Sequence, residues 1–268
     1  MGLVALAIAL QVSVAARHVQ PGELVVMTIT VPRGVDRVRV SAFHSELTPF
    51  ETDRLEWRVL VGIDLATSPG TYPVKIDAGD EHTSYALVVR PKEFRTRRLT
   101  VDEGFVTPPP SEEARIRQEA ELLDRTWRSS VPQRLWGQQF VRPVPDPSNS
   151  AFGSRSIFNG RARSPHSGAD FLSPEGRPIH APAAGRIVIA QNLYFSGNTV
   201  VIDHGLGLFS LLAHLSRIEV HAGDRVQAGQ LLGLVGATGR VTGPHLHWAV
   251  RAAGARIDPL SVLTLLGE

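Results

Sequence analysis

Three observations predict a mainly β fold. The 268 residues include 24 Gly and 19 Pro, turn-formers that cut the chain into short runs. Many of those runs are rich in Val, Ile, Leu and Tyr and alternate apolar with polar residues, the period of a half-buried strand. Long helical patterns are few, and the clearest spans Ser111 to Trp127. A hydrophobic content of 43% supplies packed cores, and the length leaves room for one large or two modest domains.

The elements follow in order. Residues Gly2 to Leu10 are apolar and Ser13-Val-Ala-Ala16 offers small residues, so 1–16 reads as a truncated export segment. No Lys or Arg precedes Arg17, and the apolar run is too short to favour a membrane span. Gln11-Val-Ser-Val-Ala also alternates as a strand, and both readings hold if the export segment ends at Leu10. Residues 17–91 then read as β throughout. Leu24 to Val31, Val35 to Ala42, Leu55 to Ile63, Tyr72 to Ile76 and Tyr85 to Val89 are separated by turns such as Pro32-Arg-Gly, Ser68-Pro-Gly and Asp77-Ala-Gly-Asp. Short strands at this spacing predict a small β-sandwich, which resembles an immunoglobulin-like module. It shows no catalytic constellation.

Residues 92–140 are predicted to connect two domains. Pro108-Pro-Pro110 breaks regular structure, Ser111 can cap a helix, and Glu112 and Glu113 suit its first turn. Ile116, Ala120, Leu123 and Trp127 recur at helical spacing and form a stripe expected to pack on a neighbouring domain. Arg142-Pro-Val-Pro-Asp-Pro147 opens the second domain, residues 141–268.

A formal charge of +2 provides no strong basic field, so nucleic acid is not an expected partner. Cysteine is absent, so any metal site must use nitrogen and oxygen donors. Two clusters offer them: His166-Ser-Gly-Ala-Asp170, and His245-Leu-His247 within Gly-Pro-His-Leu-His-Trp. Alternate strand residues share a face. His245, His247 and Ala249 therefore project from one side, while apolar Leu246, Trp248 and Val250 face a core. One imidazole of the pair can bind a metal while its neighbour reaches the bound water. Three ligands with an open fourth position make a catalytic rather than a structural zinc site. Other histidines read as structural: His204 ends an apolar run, His180 and His221 flank turns, and His18, His44 and His82 lie far from the clusters.

Together with Leu212-Ala-His-Leu215, Gly236-Ala-Thr-Gly239 and Gly243-Pro-His-Leu-His247, these motifs resemble the lysostaphin/LytM-type zinc metallopeptidases, which cut peptide bonds in bacterial peptidoglycan. The resemblance covers roughly residues 140 to 266, and Ala181-Pro-Ala-Ala-Gly185 and Val220 to Gln230 also fit it. It implies an antiparallel β-sheet peptidase domain of duplicated-hybrid-like fold. It makes His166, Asp170 and His247 ligands of one Zn²⁺, and His245 and His214 catalytic. A Tyr often precedes Ala-His in this family, and here Leu212 stands there.

The implied chemistry is amide hydrolysis by a zinc-activated water, with His245 as base and His214 donating to the developing oxyanion. The motif His-Glu-x-x-His is absent, so no glutamate base of that type is available. The expected substrate is the peptidoglycan stem peptide, cut at the D-alanyl–diaminopimelate cross-link rather than in glycine bridges. The expected location is the periplasm or cell envelope, with the N-terminal domain as the place for an envelope partner. Two alternatives stand beside this reading. One is an inactive peptidoglycan-binding protein or activator of a cell-wall amidase, which the three intact ligands disfavour. The other is a biotinyl- or lipoyl-type carrier, because Gly223 to Gly229 resembles such hairpins; it fails because no lysine follows Lys92.

Overall fold

The computed structural model describes residues 9–100, 107–137, 139–149 and 152–267. Its N-terminal region contains β1 (Gln11–Ala16), β2 (Leu24–Thr30), β3 (Val38–Ala42), β4 (Ser45–Leu47), β5 (Phe50–Asp53), β6 (Glu56–Gly62), β7 (Gly70–Ala78) and β8 (Glu81–Val89). They form two four-stranded antiparallel sheets of order β1-β2-β6-β5 and β4-β3-β7-β8. In sandwich lettering these orders read A-B-E-D and C′-C-F-G. Val25, Met27, Ile29, Val59 and Val61 of one sheet share a core with Val40, Val74, Ile76 and Leu87 of the other. The strand reading of the N-terminus holds from Gln11, so β1 takes the last six residues of the 1–16 segment. Residues 1–8 of that segment lie outside the described residues. β4 and β5 were not expected, because their short polar sequences carry no apolar alternation.

β2 breaks the alternation of a one-sided strand, since Leu24, Val25, Val26 and Met27 are all buried. Leu24 and Val26, with Leu60 of β6, join the core formed by residues of the C-terminal region. The first sheet is thus covered on both faces, which a continuous apolar run permits. Polar ties reinforce the contact. The Leu24 amide donates to Ser261 Oγ at 2.9 Å, and Arg17 bridges Glu23 and Asp258. Arg256 donates from Nε and Nη2 to both carboxylate oxygens of Asp64, at 3.0 and 2.7 Å.

The connector holds β9 (Thr96–Leu99) and α1 (Glu113–Trp127), the latter entered through a 3₁₀ turn at Pro110–Glu112. Ser111 lies inside that turn and no side chain caps the helix, contrary to expectation. The helix docks through Leu122, Leu123 and Trp127 on Ile189, Val201 and Phe209. Ala120, expected in the stripe, is exposed, because Glu119 turns inward and accepts the Tyr194 amide at 2.7 Å.

The C-terminal region contains β10 (Arg155–Phe158), β11 (Arg161–Ala162), β12 (Gly168–Phe171), β13 (Pro178–His180), β14 (Gly185–Leu193), β15 (Gly197–Gly205), β16 (Leu208–Ile218), β17 (Arg225–Val226), β18 (Leu231–Val235), β19 (Leu246–Ala252), β20 (Ala255–Ile257) and α2 (Pro259–Leu266). β10 pairs with β9 and β11 in a small separate sheet. The main nine-stranded sheet runs β12-β19-β16-β15-β14-β17, with β18 also on β16, β13 on β18 and β20 on β19. One face packs Ile202, Leu208, Leu212, Trp248 and Val250 into a core with Val262 of α2. The opposite face carries α1 and the candidate site.

Candidate metal centre and groove

Strand register builds the centre. β12 and β19 run antiparallel with Asp170 directly opposite His247, and Ala213 of β16 lies opposite His247 on its other side. Opposed residues point to the same face, so the carboxylate and imidazole meet in front of the sheet. Leu246, Trp248 and Val250 are buried behind it, as their alternation predicted. His166 reaches the same point from the segment leading into β12. Gly168 makes this possible, since a Cβ there would lie 2.7 Å from His247 Nε2.

The three donor atoms form a tight triangle. His166 Nε2 is 3.0 Å from Asp170 Oδ1 and 3.1 Å from His247 Nδ1, and His247 Nδ1 is 2.8 Å from Asp170 Oδ1. Tetrahedral ligands about 2.0 Å from a zinc ion would stand roughly 3.3 Å apart, so the triangle has the right size. Two imidazole nitrogens and one carboxylate oxygen also suit a divalent ion of borderline softness. Burial raises the Asp170 carboxyl pKa, but the bonds and charges of His166 and His247 outweigh it and hold the group well below the usual carboxylate range. Burial pushes His247 down from the ordinary imidazole value, against the pull of Asp170. His166 Nδ1 is buried without a hydrogen-bond partner among the described residues. Of the His245/His247 pair, His247 belongs to the triangle. His245 stands beside it, with Nε2 3.8 Å from Asp170 Oδ1.

Backbone carbonyls orient the two remaining imidazoles. His245 Nδ1 lies 2.9 Å from the Gly243 carbonyl and His214 Nδ1 lies 2.9 Å from the Thr238 carbonyl. Each Nδ1 therefore carries the proton it donates, and each Nε2 keeps a lone pair. Burial lowers the His214 pKa to about 4. A neutral His214 accepts at Nε2 and can donate there once it has taken a proton.

His214 reaches the groove through a bulge. Between Asn198 and Val200 of β15, β16 inserts one extra residue between Leu215 and Leu212, and His214 adopts φ 67°. Both leucines stay in the core, so the extra residue turns out to the front. A left-handed non-glycine residue is strained and persists where its surroundings fix it; here the His214 amide donates to the Ser196 carbonyl at 2.9 Å.

The donors and both imidazoles line a groove of about 840 Å³, with Trp127 of α1 and Phe158 of β10 among its walls. Arg163, Arg240 and Arg251 also line it, and no sequence motif singles them out. The Gly236–Gly239 turn stood out as a motif without a role. Its Thr238 carbonyl fixes the His214 ring, and Gly239, at φ 79°, would put a Cβ 2.3 Å from the Gly197 amide. Only glycine lets these two turns pack so closely.

A three-donor site open on one side, flanked by two imidazoles on a sheet face, defines the class of metal-dependent hydrolases. The profile of peptidase family M23 matches residues 164–259, which takes in the whole donor set. A Pseudomonas aeruginosa crystal structure assigned to peptidase M23 is 30% identical, covers 92% of this chain and 96% of that one, and superposes with a TM-score of 0.73. The chain belongs to peptidase family M23. Peptidoglycan DD-endopeptidase ShyA of Vibrio cholerae is 43% identical over 96 residues, 36% of this chain and 22% of that protein. DD-carboxypeptidase/endopeptidase Mpg of Neisseria meningitidis is 42% identical over 97 residues, again 36% and 22%. The matched part of the chain thus spans about a fifth of the length of these curated relatives.

Proposed function

We propose that the protein is a zinc-dependent endopeptidase that hydrolyses peptide cross-links of bacterial peptidoglycan in the cell envelope. The observation that carries this reading is the triangle of His166 Nε2, Asp170 Oδ1 and His247 Nδ1, open toward a groove that also holds His245 and His214. His166, Asp170 and His247 would hold the ion. When bound, zinc supplies Lewis acidity toward a carbonyl oxygen and brings the pKa of a water to about 7.

The chain's own residues do the rest. His245 Nε2, with its lone pair fixed by the Gly243 carbonyl behind it, takes a proton from the attacking water and returns it to the leaving amine. His214 Nε2 accepts a hydrogen bond in the neutral state and becomes an oxyanion donor once it has taken a proton. The sheet face and its walls bind the peptide in extended form along the groove. The D-alanyl–diaminopimelate cross-link is the proposed bond, supported by the DD-endopeptidase names of the relatives. The A-B-E-D and C′-C-F-G strand orders support an immunoglobulin-type N-terminal module that positions the peptidase domain, with boundaries at 17–91, 92–140 and 141–268. None of the described helices is long and apolar enough to cross a membrane.

Purified zinc-loaded protein should convert cross-linked muropeptide dimers to monomers with glycan strands intact, as read by mass spectrometry. Chelation should abolish the reaction and zinc restore it. Hydrolysis unchanged after verified metal removal would overturn the mechanism. Cleavage confined to glycyl-glycine bonds would overturn the substrate.

A further inference from the structure

His247, Ala249 and Arg251 are alternate residues of β19, and all three line the groove. Alternate strand residues share a face, so the groove runs lengthwise over the front of β19, from the metal donors toward Arg251. At a rise of about 3.3 Å per residue, the Cα atoms of His247 and Arg251 stand roughly 13 Å apart. The floor between them is low. Ala249 lies opposite Gly168 of β12 and Leu211 of β16, so two of the three side chains in that row are a methyl group and a hydrogen atom. A peptide backbone has room to pass there.

Arg251 is held but not neutralised. Its Nη1 donates to the Gly254 carbonyl at 3.0 Å, across the turn between β19 and β20. Its guanidinium carbon stands 5.6 Å from the centroid of the Trp127 ring, which packs edge-on against Phe209. Both contacts are to neutral groups. The acids whose charge reaches Arg251 are Asp64 and Asp124, and these are paired with Arg256 and Arg128. Among the described residues, Nε and Nη2 of Arg251 make no hydrogen bond and no carboxylate lies within ion-pair distance of it. Asp170, at the metal end, is the one carboxylate among the described lining residues. Nε and Nη2 form one edge of the guanidinium fork, the edge that a carboxylate engages with both oxygens. Partial burial beside the indole strengthens such charge-assisted bonds.

We propose that Arg251 and Trp127 form a distal subsite that anchors a carboxylate borne by the substrate peptide three or four residues from the scissile amide. This rests on the peptidase reading above. The scissile carbonyl lies at the donor triangle, and the peptide runs in extended form over Gly168 and Ala249. Its carboxylate accepts from Nε and Nη2 of Arg251, and the aliphatic stem behind that carboxylate lies on the indole. Trp127 belongs to α1, outside the residues 164–259 that the family profile matches, so the connector supplies part of the selectivity. A bridge made only of glycine has no group for this end of the groove.

The test uses the full zinc-loaded chain and a set of D-alanyl–diaminopimelate-linked peptides. Each carries glutamate, or its amide glutamine, at one position from the first to the fourth residue on either side of the scissile amide. Wild type should prefer the acid at the third or fourth residue of one side, with kcat/KM on the order of 10-fold above the amide, the range for a hydrogen bond to a charged group. In Arg251→Gln that ratio should fall toward one, chiefly through KM for the acid. Arg251→Lys should keep it only in part, since an ammonium retains the charge and loses the fork. The ratio is internal to each protein, so a change in folded fraction does not alter it. A preference confined to the two residues nearest the scissile amide would overturn the subsite. So would a wild-type ratio near one at every position, or a distal ratio unchanged in Arg251→Gln; hydrolysis in these cases leaves the peptidase reading standing. If wild type hydrolyses none of the peptides, the endopeptidase reading fails, and calorimetric affinities of each acid and its amide decide the subsite on their own. Tighter binding of the distal acid would support it, and equal affinities would overturn it.

Discussion

On the back of β19, His204 is completely buried and both of its ring nitrogens are engaged. Nδ1 lies 2.9 Å from the Ala184 carbonyl, and Nε2 lies 2.9 Å from Ser210 Oγ, which also accepts from Trp248 Nε1 at 3.1 Å. Donors and acceptors alternate along this chain, so it needs nothing from outside. On the front of the same strand, one residue from Trp248, His247 meets His166 and Asp170 with three acceptor atoms turned on one another. Such an arrangement is satisfied by protons or by a cation. The same residue type serves packing on one face and an ion on the other, and what separates the roles is whether the hydrogen-bond count closes.

The largest effects should come from breaking the open side. His166→Ala, Asp170→Ala and His247→Ala should each lose bound zinc, measured per chain by elemental analysis. Hydrolysis should fall by at least about 10³-fold, the scale for removing a principal electrostatic element. The metal-free melting temperature should move little, because these side chains fill no core. His245→Ala and His214→Ala should keep zinc and lose on the order of 10²-fold in turnover, the usual contribution of a general acid or base. Zinc lost from His245→Ala but retained by His247→Ala would invert the assignment.

The closed side should respond oppositely. Ser210→Ala leaves His204 Nε2 and Trp248 Nε1 without their shared partner, and should cost about 2–4 kcal/mol of unfolding free energy for two stranded buried groups. Zinc stoichiometry should be unchanged. The same network predicts a pH effect. Burial lowers the His204 pKa to about 4 from 6.5, so the unfolded chain takes up the proton first. His204 therefore contributes stability that is fully present above pH 6.5 and is lost as the pH falls through that value toward 4. The contribution is roughly 3 kcal/mol. Denaturant unfolding at pH 7 and pH 4.5 should show a smaller difference in His204→Gln than in wild type; an equal difference would remove His204 as the source.

The sequence made the front of β19 legible because its donors sit in two short motifs and because strand period alone separates His245 and His247 from Leu246, Trp248 and Val250. Two features escaped it. A bulge places His214 on the front, and period-two reasoning cannot see an inserted residue whose partner strand lies elsewhere in the chain. The role of Gly236–Gly239 likewise depends on the β14–β15 turn it packs against. In the N-terminal region the central strands were clear, whereas β4 and β5 are polar and exist only through their pairing with β3 and β6. The inward turn of Glu119 displaced the expected helix stripe for a similar reason, since its partner is a backbone amide far along the chain.

The smallest effect tests a third polar arrangement, in which the charges are paired at a partly exposed boundary. Asp64 follows β6 in the sandwich and receives Arg256 of β20 through two side-chain bonds and the Arg256 amide. Burial alone would raise the Asp64 pKa, but these bonds lower it to about 2. A depressed carboxylate contributes stability above its ordinary value of 3.8, and that contribution is lost as the pH falls toward 2. Solvent reaches both partners, with side-chain exposures of 32% for Asp64 and 25% for Arg256, so screening reduces the pair to about 1 kcal/mol. Arg256→Ala should therefore lower unfolding stability by about that amount at neutral pH, and by less near pH 2, where wild type has already lost part of it. Zinc content and hydrolysis should be unaffected. A loss of zinc in this variant would show that the front of β19 depends on how the sandwich is seated behind it, and the independence of the two faces would fail.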